Sequence, residues 1–282
     1  MNIKDTALYA LKKFYGYNSF RPGQMNIIFN ILSKKDVFCI MPTGAGKSIC
    51  YQIPALIMNG VTLVISPLIS LMKDQVDSLK ENGITATYIN STQSMEEIKD
   101  ILKDASLGLY KLIYIAPERL ESKVFVQMIR NLHISQVAVD EAHCVSEWGH
   151  DFRISYRYIK PFVDLLPNRP VISAFTGTAT DEVKEDSMNL LGLRNPIKYV
   201  GDINRENLSI NIFKEEDKLE GIKDIIREHE DESGIIYCLS RKEVENLYTY
   251  LREYGYNVSM YHGGLEDYDK EKRSEEHTSE LQ

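Results

Sequence analysis

The chain has 282 residues, of which 43% are hydrophobic and 26% charged, enough for two globular domains of ordinary size. No apolar run reaches the roughly 18 residues that a membrane-spanning helix needs. The formal net charge of −8 lowers the expectation of polynucleotide binding, which uses clustered Lys and Arg, but an acidic body can still carry a local basic track.

The N-terminal stretch MNIKDTALYA lacks the basic start and apolar core of a signal peptide. Cys39, Cys50, Cys144 and Cys238 lie far apart, with no CxxC pair or Cys/His cluster. That spacing suits reduced thiols in a cytoplasmic protein and argues against a structural zinc site within the chain.

In chain order, short β-branched runs alternate with helical patterns. Strands are predicted at 36–41, 61–66, 86–90, 111–116, 136–140 and 171–176. Each is a nearly continuous apolar run, as in parallel strands buried on both faces. Helices are predicted over 67–83, with Leu68, Leu71, Met72, Val76 and Leu79 on one face, and over 180–192, with acids in the first turn and Gly192 as the stop. The alternation predicts an α/β domain built on a parallel sheet. The less periodic segment 194–213 places a domain boundary near 200–210. Beyond it, 234–240 reads as a strand, 241–255 as a helix and 257–264 as a further strand and turn. The last ten residues, RSEEHTSELQ, have no apolar period and match the in-frame translation of a common sequencing-library adapter. Residues 273–282 are therefore expected to be an artefact, outside the fold.

Two motifs carry chemistry. MPTGAGKS (41–48) follows the first predicted strand and precedes a helix. Thr43, Gly44, Ala45 and Gly46 can turn the backbone so that its N–H groups face phosphate oxygens. Lys47 would reach the β- and γ-phosphates, and Ser48 would hold Mg²⁺. Met41 stands where the strict pattern has its first Gly. Some 90 residues on, VDEAH (139–143) ends another strand. There Asp140 can hold Mg²⁺, and Glu141 can orient and deprotonate an attacking water. Together the motifs predict a Mg²⁺-dependent NTPase. In DEAHCVSEWGHDF (140–152), the only Trp of the chain sits in a polar, Gly-broken stretch. On residue type alone it either fills a hydrophobic gap or stacks on a ligand, and the buried plug is the commoner use.

The chain resembles the RecQ family of superfamily 2 DNA helicases across residues 5–272. The resemblance rests on FYGYNSFRPGQ (14–24), MPTGAGKS, VISPLISLMKDQ (64–75), YIAPERL (114–120), DEAHCVSEWGHDFR (140–153), FTGTAT (175–180), GIIYCLSRKEVE (234–245) and YHGGL (261–265). It implies a RecA-like motor lobe over 1–205 and an incomplete second RecA-like lobe over 206–272. It implies ATP and Mg²⁺ as cofactors, single-stranded and forked DNA as partners, and 3′ to 5′ movement in repair and recombination. Tyr17, Arg21 and Gln24 would read adenine, and His143 joins Lys47, Asp140 and Glu141 in the catalytic set. Thr176 and Thr178 would couple hydrolysis to DNA movement, with Gly177 where the family usually has Ala. Trp148, His150, Phe152 and Arg153 would sense single-stranded DNA. Ser66, Pro67, Lys73 and Gln75 would line the DNA track, with Leu68 and Leu71 in the core. In the family the rest of the second lobe supplies arginine fingers that complete the ATP site, and a zinc-binding module and a winged helix usually follow. All are expected to lie outside this chain, which is expected to bind ATP weakly and not to unwind DNA alone. An RNA helicase or translocase of the same superfamily, and a non-motor nucleotide-binding protein, are the competing readings.

Overall fold

The computed structural model describes residues 2–202, 208–214 and 218–265. The chain divides into two compact units, Met1–Arg205 and Glu206–Gln282.

The first unit is an α/β domain around a seven-stranded sheet in the order β3-β4-β2-β5-β6-β1-β7. The strands are β1 (Val37–Ile40), β2 (Val61–Ile65), β3 (Ala86–Ile89), β4 (Leu112–Ile115), β5 (Ile134–Val139), β6 (Val171–Thr176) and β7 (Ile197–Val200). Every pairing is parallel. The five inner strands are buried at every residue, which is why they read as nearly continuous apolar runs. The edge strand β7 escapes that signature. It is half-exposed in alternation and follows an Asn-Pro pair, so it needed no continuous apolar run.

The period-two alternation of a strand splits the core between the two faces. Phe38, Ile40, Leu63, Ile65, Val137, Val139, Ile172 and Ala174 point to one face. There they meet α5 (Met95–Ser106), α6 (Lys123–Ile129), α7 (Ile159–Asp164) and α8 (Asp181–Leu190). Val37, Cys39, Val64, Ala138 and Phe175 point to the other, against α2 (Gln24–Leu32), α3 (Lys47–Ile57) and α4 (Ile69–Glu81). α1 (Ile3–Tyr15) packs Ala7, Ala10 and Leu11 against Ile28 and Ile53. On α4, Met72, Val76 and Leu79 are buried as expected. Leu68 is not core: it is 46% exposed. It lies before the first helical turn, in extended backbone at the N-cap, so the helical spacing never turns it inward.

At the opposite end of the sheet from the strand tips, Asp36 fastens three strands. Its carboxylate, 3% exposed, accepts from Arg169 through Nη1 (3.1 Å) and Nη2 (2.6 Å) and from the backbone N–H groups of Ile172 (2.9 Å) and Arg194 (2.7 Å). Its carbonyl accepts from Ile197 N at 2.9 Å. One residue, through its side chain and its carbonyl, thus aligns the starts of β1, β6 and β7.

In the second unit the described residues hold two helices, α9 (Lys218–Glu228) and α10 (Arg241–Glu253), and no strand. α10 begins as its sequence dictates: Ser240 and Glu243 exchange side-chain and backbone hydrogen bonds in a capping box. The strands expected at 234–240 and 257–264 do not form. A β pattern is only a preference for pairing, and isolated extended segments are not stable. Among the described residues of this stretch, Leu239 is 99% exposed. Residues 273–282 lie outside the described part of the chain.

Candidate nucleotide and nucleic-acid site

β5, β6 and β1 are neighbours in the sheet, so the loops leaving their C-terminal ends converge. These loops are 140–143, 176–178 and 41–46. The mouth of an open parallel sheet at the strand C-termini is the usual ligand crevice of such folds.

The 41–46 loop bends at Gly44 (φ 80°) and Gly46 (φ 80°), left-handed conformations that glycine adopts without strain. A Cβ on Gly46 would also collide with Gln24 Nε2. α3 starts at Lys47, with no side chain capping its first turn, so its free N–H groups face the crevice. Lys47 Nζ donates to Met41 O at 3.3 Å. Gln24, expected to read adenine, uses both ends of its amide within the chain. Nε2 donates to Ala45 O (3.2 Å) and Gly46 O (3.1 Å), and Oε1 accepts from Arg21 N (2.9 Å). Arg21 Nη1 donates to Gly44 O. Both residues therefore clamp the loop, while Tyr17 is 58% exposed. A Cβ on Gly177 would meet Lys47 Nζ at 3.7 Å and Thr43 Oγ1 at 3.9 Å. That is ordinary contact, so the alanine usual in the RecQ family would fit, and the 176–178 loop sits beside the 41–46 loop and Lys47.

Asp140 is anchored by its own backbone: its N donates to Ile65 O at 2.8 Å, and its carbonyl accepts from the buried Tyr156 hydroxyl at 2.9 Å. Burial pushes its carboxyl up to about 6 and Glu141 adds to the rise, while the Glu141 N–H and Lys47 oppose it. A buried, poorly solvated carboxylate beside a second one suits a divalent cation, as does the Ser48 hydroxyl one residue beyond Lys47. Glu141 adopts a left-handed backbone (φ 45°, ψ 50°), a strain of about 1–3 kcal/mol for a non-glycine residue that typically persists at functional sites. Its Oε2 lies 3.3 Å from His143 Nδ1.

His143 joins this carboxylate to the 176–178 loop. Its Nδ1 is 2.7 Å from Thr176 Oγ1, and Thr176 Oγ1 donates to Thr178 O at 3.0 Å. The threonine proton being committed, Nδ1–H must be the donor to Thr176. Desolvation lowers the imidazole pKa, with His150 and Lys47 acting the same way and Glu141 and Asp151 against it, so the neutral Nδ1–H form is favoured.

The Asp140 shift gives a stability prediction. Its folded pKa of about 6 exceeds the unfolded value of roughly 4, so folding favours the protonated form. That contribution is present below about pH 4 and is lost as pH rises through 6. Above pH 7, ionised Asp140 destabilises the nucleotide-free protein by up to about 3 kcal/mol. Asp140→Asn is expected to raise the Tm at pH 8 and to do little at pH 4. Equal shifts in thermal melts at the two values would contradict this.

The aromatic loop projects from the same strand end. Trp148 is 69% exposed, so it fills no gap in the core, and Phe152 is also exposed. The backbone around Trp148 is fixed. Gly149 packs onto His143, where a Cβ would come within 2.7 Å of the His143 carbonyl oxygen. The His150 ring stacks on His143, with centroids 4.5 Å apart. Arg153 donates to Asp151 Oδ2 (3.1 and 3.2 Å) and to Pro67 O (3.0 Å), and Arg157 lies over the Phe152 ring. The contact of Tyr156 with Asp140 had no sequence signal: a buried tyrosine acquires it only from the three-dimensional approach of separate segments.

The DEAD/DEAH box helicase family model matches residues 21–186, more than half of the chain, and the chain belongs to that family. It is 46% identical over 274 residues to ATP-dependent DNA helicase RecQ of Bacillus subtilis (strain 168), covering 96% of this chain and 46% of that protein. It is 43% identical over 270 residues to ATP-dependent DNA helicase RecQ of Pasteurella multocida (strain Pm70), covering 96% and 43%. To ATP-dependent DNA helicase Q1 of Rattus norvegicus it is 37% identical over 276 residues, covering 94% and 44%. The chain spans less than half the length of each of these relatives. Among solved structures, DUF1998 helicase MrfA bound to DNA superposes with a TM-score of 0.74 at 18% identity, covering 98% of this chain and 43% of that one. At that identity the likeness is one of fold. No helix among the described residues is long and apolar enough to cross a membrane.

Proposed function

We propose that the chain is the ATP-hydrolysing, DNA-sensing part of a RecQ-type helicase that moves 3′ to 5′ on single-stranded DNA. The observation that carries this is the meeting of the 41–48, 140–143 and 176–178 segments at the tips of adjacent strands, with an exposed Trp148 beside them. Thr43, Gly44, Ala45 and Gly46 cradle the triphosphate, Lys47 reaches its terminal phosphates, and Tyr17, with Arg21 and Gln24 once they release their clamp on the loop, forms the adenine edge. Ser48 and Asp140 hold Mg²⁺, which when bound neutralises charge developing on the phosphates. Glu141 orients the attacking water and takes its proton. His143 passes the state of that carboxylate to Thr176 and Thr178. Trp148 and Phe152 stack on bases, His150 links the loop to His143, and Arg153 meets phosphate. Stacking contributes roughly 1–3 kcal/mol per base.

With no strand among the described residues of its second unit, this chain alone is expected to hydrolyse ATP slowly and not to part a forked duplex. Phosphate release with single-stranded DNA and with single-stranded RNA tests the polymer. Stimulation by DNA well above that by RNA supports the reading, and the reverse order makes the chain part of an RNA-directed motor.

A further inference from the structure

We propose that Asp186 is a positioning residue that, through Ser146, fixes the Trp148 loop to α8. The inference rests on reading that loop as the DNA sensor. Ser146 is fully buried. Its Oγ donates to Asp186 Oδ2 at 2.6 Å and accepts from Trp148 N at 3.3 Å. A hydroxyl placed between a carboxylate and an amide strengthens both bonds, and a short O–H···O⁻ contact is the stronger kind of hydrogen bond. α8 begins directly after the 176–178 loop, with Thr180 as its N-cap. Asp186 thus ties the aromatic loop to the helix that extends from Thr176 and Thr178. This second link between sensor and hydrolytic site is separate from the one through His143. The backbone of Trp148 is held while its indole remains exposed, the arrangement a base-stacking probe needs.

Trp148 is the only tryptophan, so its fluorescence reports the loop directly. The test compares the whole chain with Ser146→Ala, Asp186→Ala and Asp186→Asn. It measures tryptophan anisotropy, quenching by an oligodeoxythymidine, affinity for a fluorescent ATP analogue, and thermal melting. Ser146→Ala and Asp186→Ala are expected to lower the anisotropy and weaken oligonucleotide binding about tenfold. Affinity for the ATP analogue should stay within about twofold. Asp186→Asn keeps a carbonyl acceptor and should lose less. Unchanged anisotropy and oligonucleotide affinity in both alanine variants would overturn the proposal. If Asp186→Ala melts out, Ser146→Ala and the isosteric Asp186→Asn decide it. If the unmodified chain shows no quenching by the oligonucleotide, the DNA-sensing reading fails, and the anisotropy comparison alone still decides whether the tether exists.

Discussion

Replacing Glu141 by Gln is expected to lower ATP turnover by about 10²–10⁴-fold, the usual contribution of a positioned general base, while nucleotide binding persists. The substitution keeps the shape of the side chain and its reach to His143 Nδ1, 3.3 Å away, but removes the basic oxygen. Lys47 and the 41–46 loop, which hold the phosphates in this account, are untouched. A non-motor nucleotide-binding protein would show no change in either quantity. The check is single-turnover phosphate release beside equilibrium binding of a fluorescent ATP analogue. Loss of binding parallel to the loss of turnover would make Glu141 a structural support of the crevice. The left-handed backbone at Glu141 adds a second expectation: Glu141→Gly keeps the fold, relieves the strain and loses the turnover.

Asp36→Ala is expected to produce the largest loss of stability, about 3–5 kcal/mol, the range for breaking a buried ion pair by removing one partner. Arg169, only partly exposed, would lose the acceptor of two hydrogen bonds, and the N–H groups of Ile172 and Arg194 would lose theirs. Because the carboxylate joins the starts of β1, β6 and β7, the defect falls on the strands whose far ends carry the 41–46 and 176–178 loops. In a unit of this size the Tm should fall by roughly 10 °C or more. Asp36→Asn keeps an acceptor and should cost less. Urea denaturation of both variants measures the effect, and a loss below about 1 kcal/mol for Asp36→Ala would contradict the hub.

The inner strands were legible because two-faced burial leaves an apolar run, and the phosphate loop because Gly44, Gly46, Lys47 and Ser48 are constrained by local backbone chemistry. β7 was not legible: at Ile197–Val200 a sheet edge only partly buries alternate residues. The β-like segments at 234–240 and 257–264 misled, because pairing depends on a partner strand that sequence spacing cannot supply. Leu68 misled because helical spacing says nothing about the residue that precedes the first turn. At the crevice, local sequence named the phosphate and acidic residues, and family resemblance added His143 and the aromatic loop. The clamp of Gln24 on Ala45 and Gly46, the Tyr156 hydroxyl under Asp140, and the chain from Asp186 to Trp148 join residues distant in sequence. They could be seen only once the sheet had brought the segments together.

In the proposed reading the strand-tip loops grip Mg²⁺–ATP. The most direct measurement is the equilibrium titration of a fluorescent ATP analogue, with and without Mg²⁺, into the unmodified chain and Lys47→Ala. The account predicts saturable, Mg²⁺-dependent binding that Lys47→Ala weakens severely without lowering the Tm of the nucleotide-free protein. Equal affinity in the two proteins, or binding indifferent to Mg²⁺, would contradict it.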